Sequence, residues 1–333
     1  MDIYLKKAIL HIVDRETGEP IVSVRELDLA KEYIRDYLEK KIKKSSSAQT
    51  LVGTLEPNSA VGRLLKNSTQ SFIEKSQHFV ALWYEAYKQS ETAPSCDVAF
   101  VQFEMDATEY LAFLKMDYMT GYTHFVDSDE TGFYSELLLY QALLSPSSKK
   151  AEESFVVRTD TLEYELIEKK YEFSSEKKVY FSTEVIQSLP CLSFDQTVKV
   201  IAKTAEKIGA KFDQPSIQLK ADIQEALAAS FAKEETILLD EVAETVFKEN
   251  ITAKLSFKEE VIEKGITDQA PMIREVKELT TKKFGKQKIK LANGIELIVP
   301  MDVYRNPDYI EFVPQPDGRL TVVIKDFEEE AED

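Results

Sequence analysis

Residues 97–117, DVAFVQFEMDATEYLAFLKMD, constrain the fold more than any other stretch of this chain. They read as two strands joined at the polar quartet Asp106, Ala107, Thr108 and Glu109. Successive side chains of a strand point to opposite faces. Ala99, Val101, Phe103 and Met105 therefore share one face of the first strand, and Val98 and Phe100 lie on the other. In the second strand Leu111 and Phe113 oppose Tyr110, Ala112, Leu114 and Met116. A hairpin that is apolar on both faces at its centre belongs inside a sheet covered on each side.

The flanking sequence supplies the covers. Residues 7–13 form a short apolar run that turns at Gly18 into 20–24, a hairpin signal. Residues 27–44 place Leu27, Ala30, Ile34, Tyr37, Leu38 and Ile42 on one helical stripe. That helix ends in Lys40, Lys41, Lys43 and Lys44, where cations complement the helix dipole. Residues 49–57 read as irregular, 59–66 as a short helix and 68–89 as a long one. Phe72, Phe79, Val80, Trp83, Ala86 and Tyr87 recur along the long helix at helical spacing, suited to covering one sheet face. Residues 122–126 and 133–144 continue the strand pattern, with a helix as the alternative for the second. Strands at 155–158 and 162–167 follow a polar loop at 145–154.

Past Leu189 and Pro190 the pattern turns helical. Ser193 and Gln196 have the spacing of a capping box ahead of a stripe of Val198, Ile201, Ala205 and Ile208, which Gly209 is expected to end. Further helices are predicted from Pro215 onward, over 239–247, over 257–264 and over 272–284. Strands return at 288–291 and 295–299 around Asn293 and Gly294, the strongest short hairpin signal in the chain. Strands at 309–313 and 320–324 are expected to complete one small antiparallel sheet. The predicted class is α+β in two domains. Residues 1–190 form a mixed or antiparallel sheet covered by helices, and residues 191–333 form a helical bundle with a small antiparallel sheet and an acidic tail.

Chemistry is sparse by comparison. The ten glycines include no G-x-G spacing, which excludes a Walker A loop and a Rossmann fingerprint. There is no G-x-S-x-G elbow and no H-E-x-x-H. Of the three histidines, His11 and His78 lie in apolar elements and read as structural. His124 has Asp127, Asp129 and Glu130 nearby, but that spacing is no metal signature. Cys96 and Cys191 are too few for a disulfide framework and read as reduced, buried thiols. No catalytic residue, cofactor or metal is expected. No apolar run reaches the ~20 residues of a membrane span, and the N-terminus reads as a strand in place of a signal peptide.

Charge is the informative property. The formal net charge is −17, and the last eight residues hold six of the acids. A strongly acidic body is repelled by DNA unless its positive charge is gathered locally. Two clusters gather it. One is Lys40, Lys41, Lys43 and Lys44. The other is Lys282, Lys283, Lys286, Lys288 and Lys290, with no acid among them. On a strand Lys286, Lys288 and Lys290 share a face at ~7 Å intervals, a spacing able to track a phosphate backbone. A solvated lysine edge that discourages strand pairing is the competing reading.

The opening AILHIVDRETGEPIVSVRELDL, the hairpin VQFEMDATEYLAFLKMDY, the passage YFSTEVIQSLPCLS and the helical half ending in a small β-unit resemble the NdpA/YejK family of bacterial nucleoid-associated proteins, over residues 1–326. The resemblance implies a cytoplasmic protein found with the nucleoid, binding DNA and, in some members, type II topoisomerase subunits. It carries over no catalytic residue. The expectation is a non-enzymatic DNA-binding protein with largely sequence-independent phosphate contacts. Lys282, Lys283, Lys286, Lys288 and Lys290 lead, with Lys40, Lys41, Lys43 and Lys44 secondary. The alternative is an interaction adaptor, for example on a type II topoisomerase, that reaches the nucleoid indirectly. A homodimer is among the expected assemblies, and a membrane is not among the partners.

Overall fold

The computed structural model describes residues 2–212, 216–234, 236–267, 273–274, 276–290, 294–304, 306–315 and 320–325. The chain divides into two compact units, Met1–Thr197 with Ala270–Arg274, and Val198–Gln269 with Glu275–Asp333.

The first unit runs β1 (Tyr4–Val13), α1 (Glu32–Ser45), β2 (Leu51–Thr54), α2 (Ala60–Lys66), α3 (Phe72–Tyr87), β3 (Cys96–Met105), β4 (Thr108–Asp129), β5 (Gly132–Leu144), β6 (Glu153–Arg158), β7 (Glu163–Ile167), β8 (Tyr171–Phe173) and β9 (Glu176–Lys178). Seven of these strands form one sheet in the order β1-β3-β4-β6-β7-β2, with β5 paired to β4 and every pairing antiparallel. The 97–117 hairpin supplies its interior strands, as its two-sided apolar pattern predicts. Its turn is tighter than expected. Asp106 and Ala107 alone make it, at φ 49° and 59°, and Thr108 already pairs with Met105. Two successive positive φ values match the twist of the flanking strands.

The two sheet faces are built differently. Toward α3 the residues are large: Phe79 packs on Phe113 at 5.1 Å, Phe100 at 5.6 Å and Phe155 at 5.8 Å between ring centroids. Trp83 joins this core and donates to the Tyr180 hydroxyl at 2.8 Å. Toward α1 the sheet presents Ala99, Val101, Ala112 and Leu114, and their smaller side chains leave room for Leu38 and Ile42. Ser71 caps α3 through a full capping box with Glu74, a signal present in the sequence as S-x-x-E.

Several expected elements differ. Residues 20–24 contribute only an isolated bridge between Ile21 and Ile12, in line with Pro20 having no backbone N–H to extend a ladder. The first helix starts at Glu32, five residues late, because Asp28 accepts from the Ala30 N–H and holds the approach in a turn. Residues 51–54, expected to be irregular, are β2, paired with β7. Gly53 is required there, since a Cβ would collide with the Tyr164 ring. Residues 133–144 are a strand. Beyond Asp117 no described strand but β5 pairs with β4, so from Tyr118 to Asp129 the two form a free-standing ribbon.

The second unit continues α4 (Phe194–Lys211) and adds α5 (Ser216–Glu234), α6 (Leu239–Phe247), α7 (Ile251–Glu263), α8 (Val276–Phe284), β10 (Lys286–Lys290), β11 (Glu296–Pro300), α9 (Met301–Tyr304), β12 (Ile310–Pro314) and β13 (Leu320–Ile324). The Ser193–Gln196 capping box forms as predicted, with bonds of 2.9 and 3.3 Å. Gly209 does not end α4, which runs on to Lys211. Ile201, Ala205 and Ile208 are buried, and Phe231 stacks on Phe284 while Phe247 packs on Phe257. The strands expected to make one sheet form two separate ribbons, β10–β11 and β12–β13. Asn293 and the acidic tail from 326 lie outside the described residues.

Candidate nucleic-acid interface

The C-terminal lysines sit where α8 passes into β10 through Gly285, whose carbonyl accepts from the Met301 N–H at 3.1 Å. Register places Lys286 opposite Pro300, Lys288 opposite Ile298 and Lys290 opposite Glu296. The strand expected to begin at 288 begins at Lys286, so all three lysines fall on alternate positions of β10. Lys286 is exposed, and Lys283 is half-buried and engaged with other groups. The side chains of Lys282, Lys288 and Lys290 lie outside the described residues. Glu296 shows what a linear reading misses. The lysine run contains no acid, but strand pairing brings one to the register position of Lys290.

The α1 cluster divides. Lys40, Lys43 and Lys44 are exposed, and Lys40 lies 3.9 Å from Asp36, one turn back. Lys41 is fully buried, which corrects its assignment to a DNA-facing group. Its ammonium donates to Ser145 Oγ at 2.6 Å and sits 5.3 Å from the Tyr37 ring centroid. Burial lowers its pKa, and Lys149 and Lys44 add to that against Glu152. The sequence held the signal: Lys41 falls three and four positions after Leu38 and Tyr37, on the apolar stripe itself. In exchange, folding brings exposed Lys149 from the 145–154 loop into the electrostatic neighbourhood of this helix end. Sequence reading missed it because the two stretches are about a hundred residues apart.

The densest group of perturbed side chains lies elsewhere and is sealed. Lys115 and Glu153 are both solvent-inaccessible and 3.7 Å apart. Lys115 also pairs with Asp117 and donates to the Tyr171 hydroxyl at 2.9 Å, while Tyr180 donates to Glu153 at 2.8 Å. Burial opposes the Lys115 charge, but the surrounding acidic groups outweigh it and hold its pKa above the ordinary lysine value. Burial pushes the Glu153 pKa up. No substrate reaches such a pair from solvent, and its satisfied bonds mark a structural network. His11 is buried and hydrogen-bonded, as its apolar strand suggested, but His78 and His124 are exposed. Cys96 is buried, and Cys191 only partly so. Among the described residues no His, Cys, Asp and Glu group is arranged to hold a metal, and no helix is long and apolar enough to cross a membrane.

What remains for function is two basic clusters on an acidic chain, in which Lys40, Lys43, Lys44 and Lys286 are exposed. A family model described as nucleoid-associated protein YejK matches residues 9–332. The chain belongs to this family. Membership in the nucleoid-associated protein YejK family spans both compact units, so both lysine clusters fall within the matched region. No curated protein matches the chain.

Proposed function

We propose that this protein acts in the cytoplasm at the nucleoid as a non-enzymatic DNA-binding protein that contacts phosphates. Family membership carries the reading. The alternate placement of Lys286, Lys288 and Lys290 on β10, with Lys282 and Lys283 on the preceding helix, supports the choice of surface. Lys40, Lys43 and Lys44 form a secondary patch with Lys149 beside them. Ammonium groups act as point charges on phosphate oxygens and read no bases, so affinity is expected to be largely independent of sequence.

Fluorescence anisotropy of labelled duplex DNA over a salt series tests this. Each neutralised phosphate contributes about −0.9 to the slope of log K against log salt. Replacing Lys282, Lys283, Lys286, Lys288 and Lys290 by Ala is expected to flatten that slope by about 3 to 5 and to weaken all sequences alike. An unchanged slope removes this surface from the reading.

The net charge of −17, which repels DNA at long range, favours a second reading, an adaptor bound to a protein such as a type II topoisomerase subunit. Association with purified topoisomerase subunits that survives nuclease treatment, with no DNA binding even at low salt, would select it.

A further inference from the structure

We infer that the β4–β5 ribbon is the interface through which two copies of this chain pair. A two-stranded ribbon standing alone in water is marginal at best. This one extends from Tyr118 to Asp129, on the order of 35 Å at ~3.3 Å per residue. Every residue of β5 but the last is exposed.

Register separates its two faces. Directly opposed residues share a face, so Tyr122 with Leu139, His124 with Leu137, Val126 with Ser135, and Ser128 with Phe133 form one side. That side carries no carboxylate, lysine or arginine. Tyr122 is 72% exposed, Leu137 72% and Phe133 88%, with Val126 and Leu139 also open to solvent. The other side pairs Phe125 with Glu136 and Asp127 with Tyr134, and so carries charge among its apolar groups. One face is thus suited to burial and the other to water, a division without purpose in a ribbon solvated all round.

Area and charge both select a second copy as the occupant. The five apolar residues of the uncharged face expose on the order of 650 Å², and with His124, Ser128 and Ser135 the face approaches the ~800 Å² that each partner buries in a standard interface. A twofold axis through the middle of the ribbon lays two uncharged faces on each other in antiparallel sense, which makes the surface self-complementary. The same operation carries the tip of one ribbon to the root of the other. The tip holds Asp129 and Glu130, and the root holds Lys149, whose Nζ lies 4.0 Å from Met119 Sδ. Acid then meets base at both ends. A parallel arrangement would set tip against tip and repel. This pairing does not depend on the DNA reading.

Sedimentation equilibrium of the full chain at micromolar concentration tests it. The wild type is expected to sediment at twice 38.0 kDa. Phe133→Lys with Leu137→Lys, on the uncharged face, is expected to raise the dimer Kd at least about 100-fold, since two charges would be buried without partners. Tyr134→Lys with Leu138→Lys, on the opposite face, is expected to leave the Kd within about threefold. Circular dichroism checks that both variants fold. As a measurement that needs no disruptive change, His124→Cys, on the uncharged face nearest the twofold, is expected in a Cys191→Ser background to form an intermolecular disulfide on mild oxidation, and Thr123→Cys, at the same level on the opposite face, is not. A monomeric wild type overturns the inference, whether or not it binds phospholipid vesicles. So does a dimer indifferent to the uncharged-face lysines, equal loss from both faces, or a disulfide in the Thr123→Cys variant with none in the His124→Cys variant.

Discussion

His11 makes the first unit acid-sensitive in a way that its hydrogen bonds specify. The ring is buried between β1 and α3. Nδ1 accepts from the Ser23 N–H at 3.0 Å, so it carries no proton. Ser76 Oγ spends its own proton on the Ile73 carbonyl at 2.7 Å, so across 3.1 Å it accepts from the Nε2–H. Both nitrogens are satisfied only in the neutral ring. A second proton on Nδ1 would set two N–H groups against each other. Burial accordingly pushes the pKa down to about 4 from an ordinary value near 6.5. Because the folded value is depressed, the unfolded chain binds the proton first. Stability is full above pH 6.5 and is lost as pH falls toward 4. At 1.36 kcal/mol per unit, the loss is about 2 kcal/mol by pH 5 and about 3 kcal/mol when complete. Urea unfolding at pH 7.5 and pH 5, for the wild type and His11→Asn, isolates this from the many carboxylates. Asn keeps an acceptor near Nδ1 and cannot titrate. The variant is expected to start about 1–2 kcal/mol less stable and to equal or exceed the wild type by pH 5. Two stability curves that stay parallel between those pH values would refute the reasoning.

Two further outcomes follow from the fold. Arg274→Ala removes the partner of Glu165, with which it shares a buried pair at 2.9 Å, and is expected to cost about 3–5 kcal/mol in chemical denaturation. Adding Glu165→Gln to that variant is expected to recover part of the loss. Ala107→Gly relieves a left-handed alanine in the β3–β4 turn and is expected to raise stability by about 0.5–1 kcal/mol, read as an increase in Tm.

Legibility in the sequence tracked how local each determinant was. The central hairpin declared itself because its apolar residues fall on both faces, and α3 because six apolar residues keep one helical period. β2 was hidden because its four residues include Gly53, whose reason for being there is the Tyr164 ring of a strand more than a hundred residues away. The lysine clusters were visible as composition, but their accessibility was not. Lys41 reads as one of four lysines within five residues, and although its place on the apolar stripe hints at burial, the hydroxyl of Ser145 and the ring of Tyr37 are what it turns inward to meet. The apolar ribbon was partly legible. Its strand pattern was plain, but the same residues fit a buried element, and exposure is a property of what fails to pack on them.

Arg274 bears on the order in which the protein is made. Its guanidinium lies 5.5 Å from the Phe103 ring centroid, donates to Ser45 Oγ at 2.8 Å and to the Ile42 carbonyl at 3.3 Å, and neutralises Glu165. All four partners are synthesised before residue 166, yet the arginine that completes them follows only after the helices of 198–269 have been added. At ~5–20 residues per second the ribosome leaves Glu165 without its counter-charge for several seconds. The nascent first unit therefore waits, incompletely neutralised, on chain not yet translated. A message cut short before codon 274 would yield a sheet and its helices with a buried carboxylate unpaired, a product suited to removal by proteases.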